Sequence, residues 1–364
     1  MLSEVERLKL EILAKGIKIS ERARRAFIGP MTMGEYPSTS GISMELEGQI
    51  WINAPFSVYN PNFVSDATTI VLDYRNDSYY VTNGKMEIKA KPVPVPSYED
   101  KKAKSGEIFG AFAVTHTDRV RISPIEGCAI ACQFCNIPYE FKYRKKLIPD
   151  LVESVDVALN DKLLPAKHVM ISGGTPKPED YVWENQVYDA VTQTYNGIDV
   201  DIMMVPMPGL LDPVRLKEIG VHGLSINIEL HNENTAKRIA YGKFKVGIKA
   251  YLDFIENAVK VYGGRNGKVR SLLMLSLESL EDTLKGVKAL AQVGCDPVLS
   301  PFRPDPRTPM KNAKPPSIEF MEQAYEQARD IVKKYPGVAL GPRCIPCMHN
   351  TLTFPDRSSV YYNS

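Results

Sequence analysis

The chain has 364 residues, which at about 150 residues per domain predicts roughly two domains with ample core, and its apolar share of 44% is that of a globular protein. With 45 Lys and Arg against 43 Asp and Glu, the formal net charge of +2 gives no reason to expect nucleic acid or a membrane surface as the main partner. Six cysteines are too few for a disulfide scaffold, the N-terminus reads as a charged helix instead of an export signal, and no apolar run approaches about 18 residues, so a reducing cytoplasm is expected.

Residues 3–15 carry Val5, Leu8, Leu10, Ile12 and Leu13 on or near one face and predict an amphipathic helix. Strands follow. Residues 42–52, 68–74, 79–81 and 86–90, separated by Asn and Gly turns, predict a small sheet. Alternating prolines make residues 91–97 a stiff extended connector in preference to a ligand for a proline-recognition module. From Ala111 the rhythm becomes strand, loop, helix: strands at 120–125, 168–172, 200–205, 223–229, 269–277 and 297–302 alternate with helices at 151–159, 178–195, 247–262, 280–293 and 318–334. Such alternation predicts parallel strands with crossover helices, and in barrels of this kind function gathers at the C-terminal strand ends. The division expected is an N-terminal helix with a β-rich accessory domain over 1–110, a barrel over 111–335, and a C-terminal extension over 336–364.

The loop after the first of these parallel strands contains Cys128-Ala-Ile-Ala-Cys132-Gln-Phe-Cys135. Three thiolates in eight residues can hold a four-iron cluster with one iron free, since a closed cluster takes four. A structural zinc with a fourth ligand from elsewhere is the plainer alternative, and Phe134 directly before the last cysteine favours iron. A disulfide plus a spare thiol fits poorly with a chain lacking an export signal.

Further along, strand 168–172 runs into Gly173-Gly174-Thr175-Pro176, where a glycine pair permits close backbone approach to a ligand; alone it is also an ordinary tight turn. Asn227 and Glu229 fall on the same side of the fourth strand. Arg303 is a cation suited to forking onto a carboxylate, or to a surface ion pair. Cys344-Ile-Pro-Cys347, near His349, has metal-ligand spacing and reads as a second iron–sulfur cluster, a zinc site, a redox pair or buried thiols, with metal binding favoured; Cys295 reads as core. The basic aromatic run at 139–146 suits a solvated face or the docking of an acidic electron donor better than it suits nucleic acid.

The cysteine loop, with its aromatic residue before the third thiol, and the glycine turn about forty residues on resemble the radical SAM superfamily. The resemblance covers roughly the last two thirds of the chain. It implies an α/β fold, a partial (β/α)6 TIM-like barrel preceded by the small β-rich domain. It implies that Cys128, Cys132 and Cys135 ligate a [4Fe-4S] cluster and that S-adenosylmethionine chelates the free iron. Phe134 would lie near the adenine, Gly173, Gly174, Thr175 and Pro176 near the SAM amino group, Asn227 and Glu229 near the ribose, and Arg303 near the SAM carboxylate or a substrate acid. An electron from the cluster would then split the sulfonium bond to a 5′-deoxyadenosyl radical that takes hydrogen from a small-molecule or cofactor-precursor substrate, with ferredoxin or flavodoxin as reductant. Residues 271–283 and 294–304 resemble the biotin and lipoyl synthase branch, although Ser276 and Glu278 stand where glycines are usual there. The tail at 356–361 is similar to a Ser-rich motif of lipoyl synthases, yet the three extra N-terminal cysteines of those enzymes are missing from residues 1–127. That branch implies biosynthesis, with sulfur insertion as one outcome. The alternatives are a radical lyase, mutase or carbon–carbon bond-forming enzyme of the superfamily, or a non-catalytic, zinc-stabilised binding protein.

Overall fold

The computed structural model describes residues 2–33, 40–65 and 67–354; the tail at 356–361 lies outside them. Helix α1 (Glu4–Lys15) begins with a capping box: Ser3 Oγ accepts from Glu6 N at 3.2 Å, and the Glu6 carboxylate accepts from Ser3 N at 2.7 Å. The helix buries Leu8, Leu10, Ile12 and Leu13 against one edge of the first sheet.

That sheet has six strands: β1 (Lys18–Ile19), β2 (Ile42–Leu46), β3 (Ile50–Ala54), β4 (Val71–Arg75), β5 (Ser78–Thr82) and β6 (Glu87–Pro92), in the order β1-β4-β5-β6-β2-β3. A short helix, α2 (Glu21–Ala26), follows β1. The single strand expected over 42–52 is a hairpin. Its turn is Glu47-Gly48, with φ of 51° and 73°, the paired left-handed conformation that matches strand twist in a tight turn. Alternation then does its work: Ile42, Met44 and Leu46 are buried, while Ser43 and Glu45 between them are less so.

The second sheet has seven strands, in the order β15-β14-β13-β12-β11-β8-β7. Strand β7 (Ala113–His116) is antiparallel to β8 (Arg119–Ile122). From β8 onward the strands are parallel: β11 (His168–Ser172), β12 (Val200–Met203), β13 (Val221–Ser225), β14 (Val269–Leu275) and β15 (Asp296–Pro301). Between β8 and β11 a two-stranded ribbon, β9 (Ile125–Glu126) with β10 (Arg144–Lys145), brackets a long loop holding α3 (Ile137–Glu140), and α4 (Ile148–Leu159) follows. The later crossovers contain α5 (Tyr181–Thr194), α6 (Pro213–Glu218), α7 (Glu233–Ile239), α8 (Tyr241–Val246), α9 (Ile248–Val261) and α10 (Leu280–Gln292). Helix α11 (Ile318–Val332) follows β15. Six parallel strands in sequential order make a partial (β/α)6 barrel, and their interiors are near-continuous apolar runs such as Val169-Met170-Ile171, as a sheet covered on both faces requires.

The two sheets share one hydrophobic core that runs from Leu8 and Met44 to Ile122, Leu224 and Leu299. Two devices tie them together. Helix α1 packs on both β3 and α11, and its buried Lys9 donates to Met348 O at 2.9 Å and Thr353 O at 3.0 Å. The segment containing α12 (Ile345–Met348) joins the edge strands of the two sheets through Gly341 N to Pro297 O, Leu352 N to Leu299 O, and Asn53 N to His349 O.

Candidate active site

The β9–β10 ribbon pinches the base of the cysteine loop. Gly127, at φ 73°, sits so close to Tyr143 that a Cβ would lie 2.8 Å from Tyr143 N. The turn after β11 docks on the same loop. A Cβ on Gly174 would lie 1.7 Å from Gly127 O, so glycine is what lets the two backbones touch. Ala129 N then donates to Thr175 O at 2.9 Å, and Thr175 N to Cys128 Sγ at 3.1 Å. The loop's other end is held by Gln133 N donating to Ile239 O, and by Cys132 and Phe134 packing on Leu230, Ile239, Leu277 and Phe302.

All three thiols, Phe134, Gly173, Gly174, Thr175, Asn227 and Glu229 line one pocket of about 130 Å³ at the C-terminal ends of the parallel strands; Pro176 is not among its lining residues. Burial pushes the Cys135 thiol up to about 12 and the Cys132 thiol up as well, a cost to the thiolate that a bound metal centre would offset.

Strand β13 ends at Ser225, short of Asn227 and Glu229. The chain turns instead. Glu229 adopts φ 61° and still bonds β14 through its own N to Leu272 O and through its O from Met274 N, which aims the side chain into the pocket. Its Oε1 is 2.9 Å from Lys243 Nζ on α8, and its Oε2 is buried without a hydrogen-bond partner. Burial is the largest single influence on Lys243 and works against its charge, but the Glu229 carboxylate together with Tyr251 and Cys132 raises its pKa overall. The Asn227 amide oxygen is occupied by Ser225 Oγ and Leu272 N.

The family model described as the radical SAM superfamily matches residues 122–300, from the end of β8 into β15, a span holding the three loop cysteines, the glycine turn and Glu229. Residues 122–300 are a radical SAM enzyme domain. Radical SAM enzymes use a [4Fe-4S] cluster and S-adenosylmethionine. Among solved structures the chain is similar to the FeFe-hydrogenase maturase HydG from Carboxydothermus hydrogenoformans, at 16% identity and a TM-score of 0.48, covering 63% of this chain and 55% of that one. It is also similar to a radical SAM methyltransferase from Sphaerobacter thermophilus (13%, TM-score 0.47, 78% and 81% covered) and to Streptococcus suis SuiB bound to S-adenosylmethionine (14%, TM-score 0.47, 63% and 51% covered). The chain spans about half the length of HydG and SuiB. No curated protein matches it. The comparisons give no support to the biotin and lipoyl synthase branch.

The residues of the radical SAM domain fit its cofactors in two respects. Three thiols share one pocket with a backbone N–H aimed at Cys128 Sγ, and a buried carboxylate oxygen, Glu229 Oε2, faces that pocket with an acceptor to spare. Among the described residues no three His, Cys, Asp or Glu side chains converge to hold a single metal ion.

Other residues singled out from the sequence take different places. Arg303 stands outside the cluster pocket, in a wider adjoining cavity, and donates to Asn53 Oδ1 at 2.9 Å and Asn53 O at 2.6 Å. Cys344 Sγ and Cys347 Sγ are 2.8 Å apart, and their neighbour is the Arg119 guanidinium, 2.7 Å from Cys347 Sγ. The hydrogen bond from Cys344 holds the Cys347 thiol well below its ordinary value against opposing burial, with Arg119 and Arg270 helping. His349 does not join them: it stacks on Trp51 and shares a hydrogen bond with Ser43. Cys295 is fully buried. Glu278 accepts from His231 N and Asn232 N, anchoring the start of α7, and Ser276 takes a left-handed φ of 72° where the resemblance puts glycine. In the basic run, Arg144 pairs with Glu107 and Glu126, Lys145 with Asp180, and Lys146 is buried against Ala111 O; Lys142 alone of these cations has no ion pair or hydrogen bond among the described residues. Sequence reasoning missed Lys243, Arg119 and Asn53, all of which reach the site from elements that carry no motif.

Proposed function

We propose that this chain reductively cleaves S-adenosylmethionine and uses the resulting radical to take hydrogen from a small-molecule or cofactor-precursor substrate. The observation that carries this is the contact between Gly174–Thr175 and the Cys128 loop, with Glu229 lining the same pocket. Cys128, Cys132 and Cys135 would hold the cluster, the glycine turn and Glu229 would hold SAM, and bound there the pair supplies a carbon radical able to attack an unactivated C–H bond. The chain's own part is placement and exclusion. Phe134, Phe302 and Leu277 form the apolar cluster in which Cys132 is buried, Lys243 fixes the Glu229 carboxylate, and Thr175 N offers a hydrogen bond to Cys128. Ser43 and Asn53 of the first sheet line the adjoining cavity, which supports an accessory role for residues 1–110 in shaping substrate access. A reductant such as ferredoxin or flavodoxin is the partner this chemistry requires. Sulfur insertion is the less favoured outcome, because Cys344 and Cys347 face a guanidinium in place of further ligands.

The test is anaerobic reconstitution with iron and sulfide, reduction, and addition of SAM. Formation of 5′-deoxyadenosine is expected; intact SAM in a protein with a full iron complement would contradict the reading.

A further inference from the structure

We propose that the substrate is a small acid, whose carboxylate or phosphate group is held by the buried guanidinium groups of the cavity beside the cluster pocket. This rests on the radical SAM reading and names the class of molecule that reading acts on. The cavity has a volume of about 270 Å³ and shares Phe134, Cys135, Gly173, Asn227 and Glu229 with the cluster pocket, so a molecule in it lies beside the reactive end. Its walls are largely apolar, with Met170, Leu272 and Val298 among them, yet four arginines reach it. Arg119 and Arg121 come from alternate positions of β8, Arg270 from β14, and Arg303 follows β15.

Counter-charge is scarce. Among the described residues Glu229 is the one carboxylate on the cavity wall, and Lys243 already holds it. Arg270 is matched by Asp201 at 2.8 Å. Arg119 is matched by the Cys347 sulfur at 2.7 Å, whose thiol is held well below its ordinary value, although its Nε is buried without a partner; Arg303, 3% exposed, donates among the described residues only to the neutral amide and carbonyl of Asn53. His116 and His349 also line the cavity, and burial lowers both, His116 to about 4, so both rings are neutral and neither balances nor adds charge there. Burial likewise lowers Arg303 to about 9. A buried cation without a matching anion is costly, and an acid entering the cavity removes that cost by accepting the two parallel hydrogen bonds of a guanidinium. The acid group then sits at the arginines, its apolar part along Met170 and Leu272, and the carbon to be attacked toward Gly173 and Glu229.

Trp51 stacks on His349, with ring centroids 5.4 Å apart, and so reports on the cavity; Trp183 is the other of the chain's two tryptophans. In reconstituted Trp183→Phe protein saturated with SAM, Trp51 fluorescence is followed while succinate, inorganic phosphate or the neutral diamide succinamide is titrated. A saturable change with succinate or with phosphate, and none with succinamide, is expected, and the anion that responds identifies the group. Arg303→Gln should weaken that binding at least about tenfold. Arg303→Lys, which keeps the charge and loses the fork, should weaken it less, and it serves if the Gln variant does not fold. Succinamide binding as well as succinate does, or no response to either anion, overturns the proposal. Release of 5′-deoxyadenosine is measured on the same samples, so loss of that product bears on the radical SAM reading separately.

Discussion

Lys243 and Glu229 form a buried ion pair at 2.9 Å, and the free energy at stake lies in leaving one partner alone more than in having both. Lys243→Met should therefore destabilise the cluster-free protein by about 3 kcal/mol in urea unfolding, and the double variant Lys243→Met, Glu229→Leu should recover most of that loss. Equal losses in the single and double variants would mean that the pair is not coupled. Ser276 offers the opposite case. It holds a left-handed φ with its hydroxyl buried and unbonded, so Ser276→Gly should raise stability by about 1 kcal/mol in the same measurement. At this scale the sequence was most legible where ligands are close neighbours: three cysteines in one loop and two glycines in one turn announce themselves by spacing. Lys243 does not, because its role depends on α8 folding back over the pocket, and no spacing rule records that.

In the proposed function, cofactor binding depends most on the turn after β11. Gly174→Ala would drive a Cβ into Gly127 O, so the turn must lift off the cysteine loop. The far-ultraviolet circular dichroism should stay unchanged while SAM affinity, read by equilibrium dialysis, falls at least about tenfold. An unchanged affinity would mean that the turn does not need that contact. Helix α1 makes a pH-dependent prediction. Burial lowers the Lys9 pKa from the ordinary lysine value to about 7, so between about pH 7 and about pH 10.4 folding releases a proton from Lys9 and its contribution improves as pH rises. Stability of the wild type relative to Lys9→Met should rise across that window, by at most about 1.4 kcal/mol per pH unit; a flat difference would show that Lys9 keeps its proton in the folded state. Strand–helix alternation made the barrel legible, since each period is local. Two boundaries were not. The hairpin at Glu47-Gly48 was read through because apolar residues continue on both sides of it, and β13 was drawn too long because Glu229 leaves the strand through a left-handed φ that its residue type does not signal.

Across the whole molecule, the first sheet and the α12 segment supply Ser43, Asn53, Cys347 and His349 to a cavity whose other walls are barrel strands. This joint construction was hidden in the sequence, since the residues that meet there lie at opposite ends of the chain and pair only through long-range hydrogen bonds such as Asn53 N to His349 O. The motifs located the cysteine pocket; the chamber beside it emerges only from the fold. Among the described residues no helix is long and apolar enough to cross a membrane. Everything proposed for this molecule rests on three loop cysteines holding a cluster that opens SAM. The most direct test compares anaerobically reconstituted wild type with Cys128→Ala, Cys132→Ala and Cys135→Ala, measuring bound iron and 5′-deoxyadenosine released from SAM after reduction. The account predicts product from the wild type and none from any of the three variants, each with less iron; product from all three variants at the wild-type rate would contradict it.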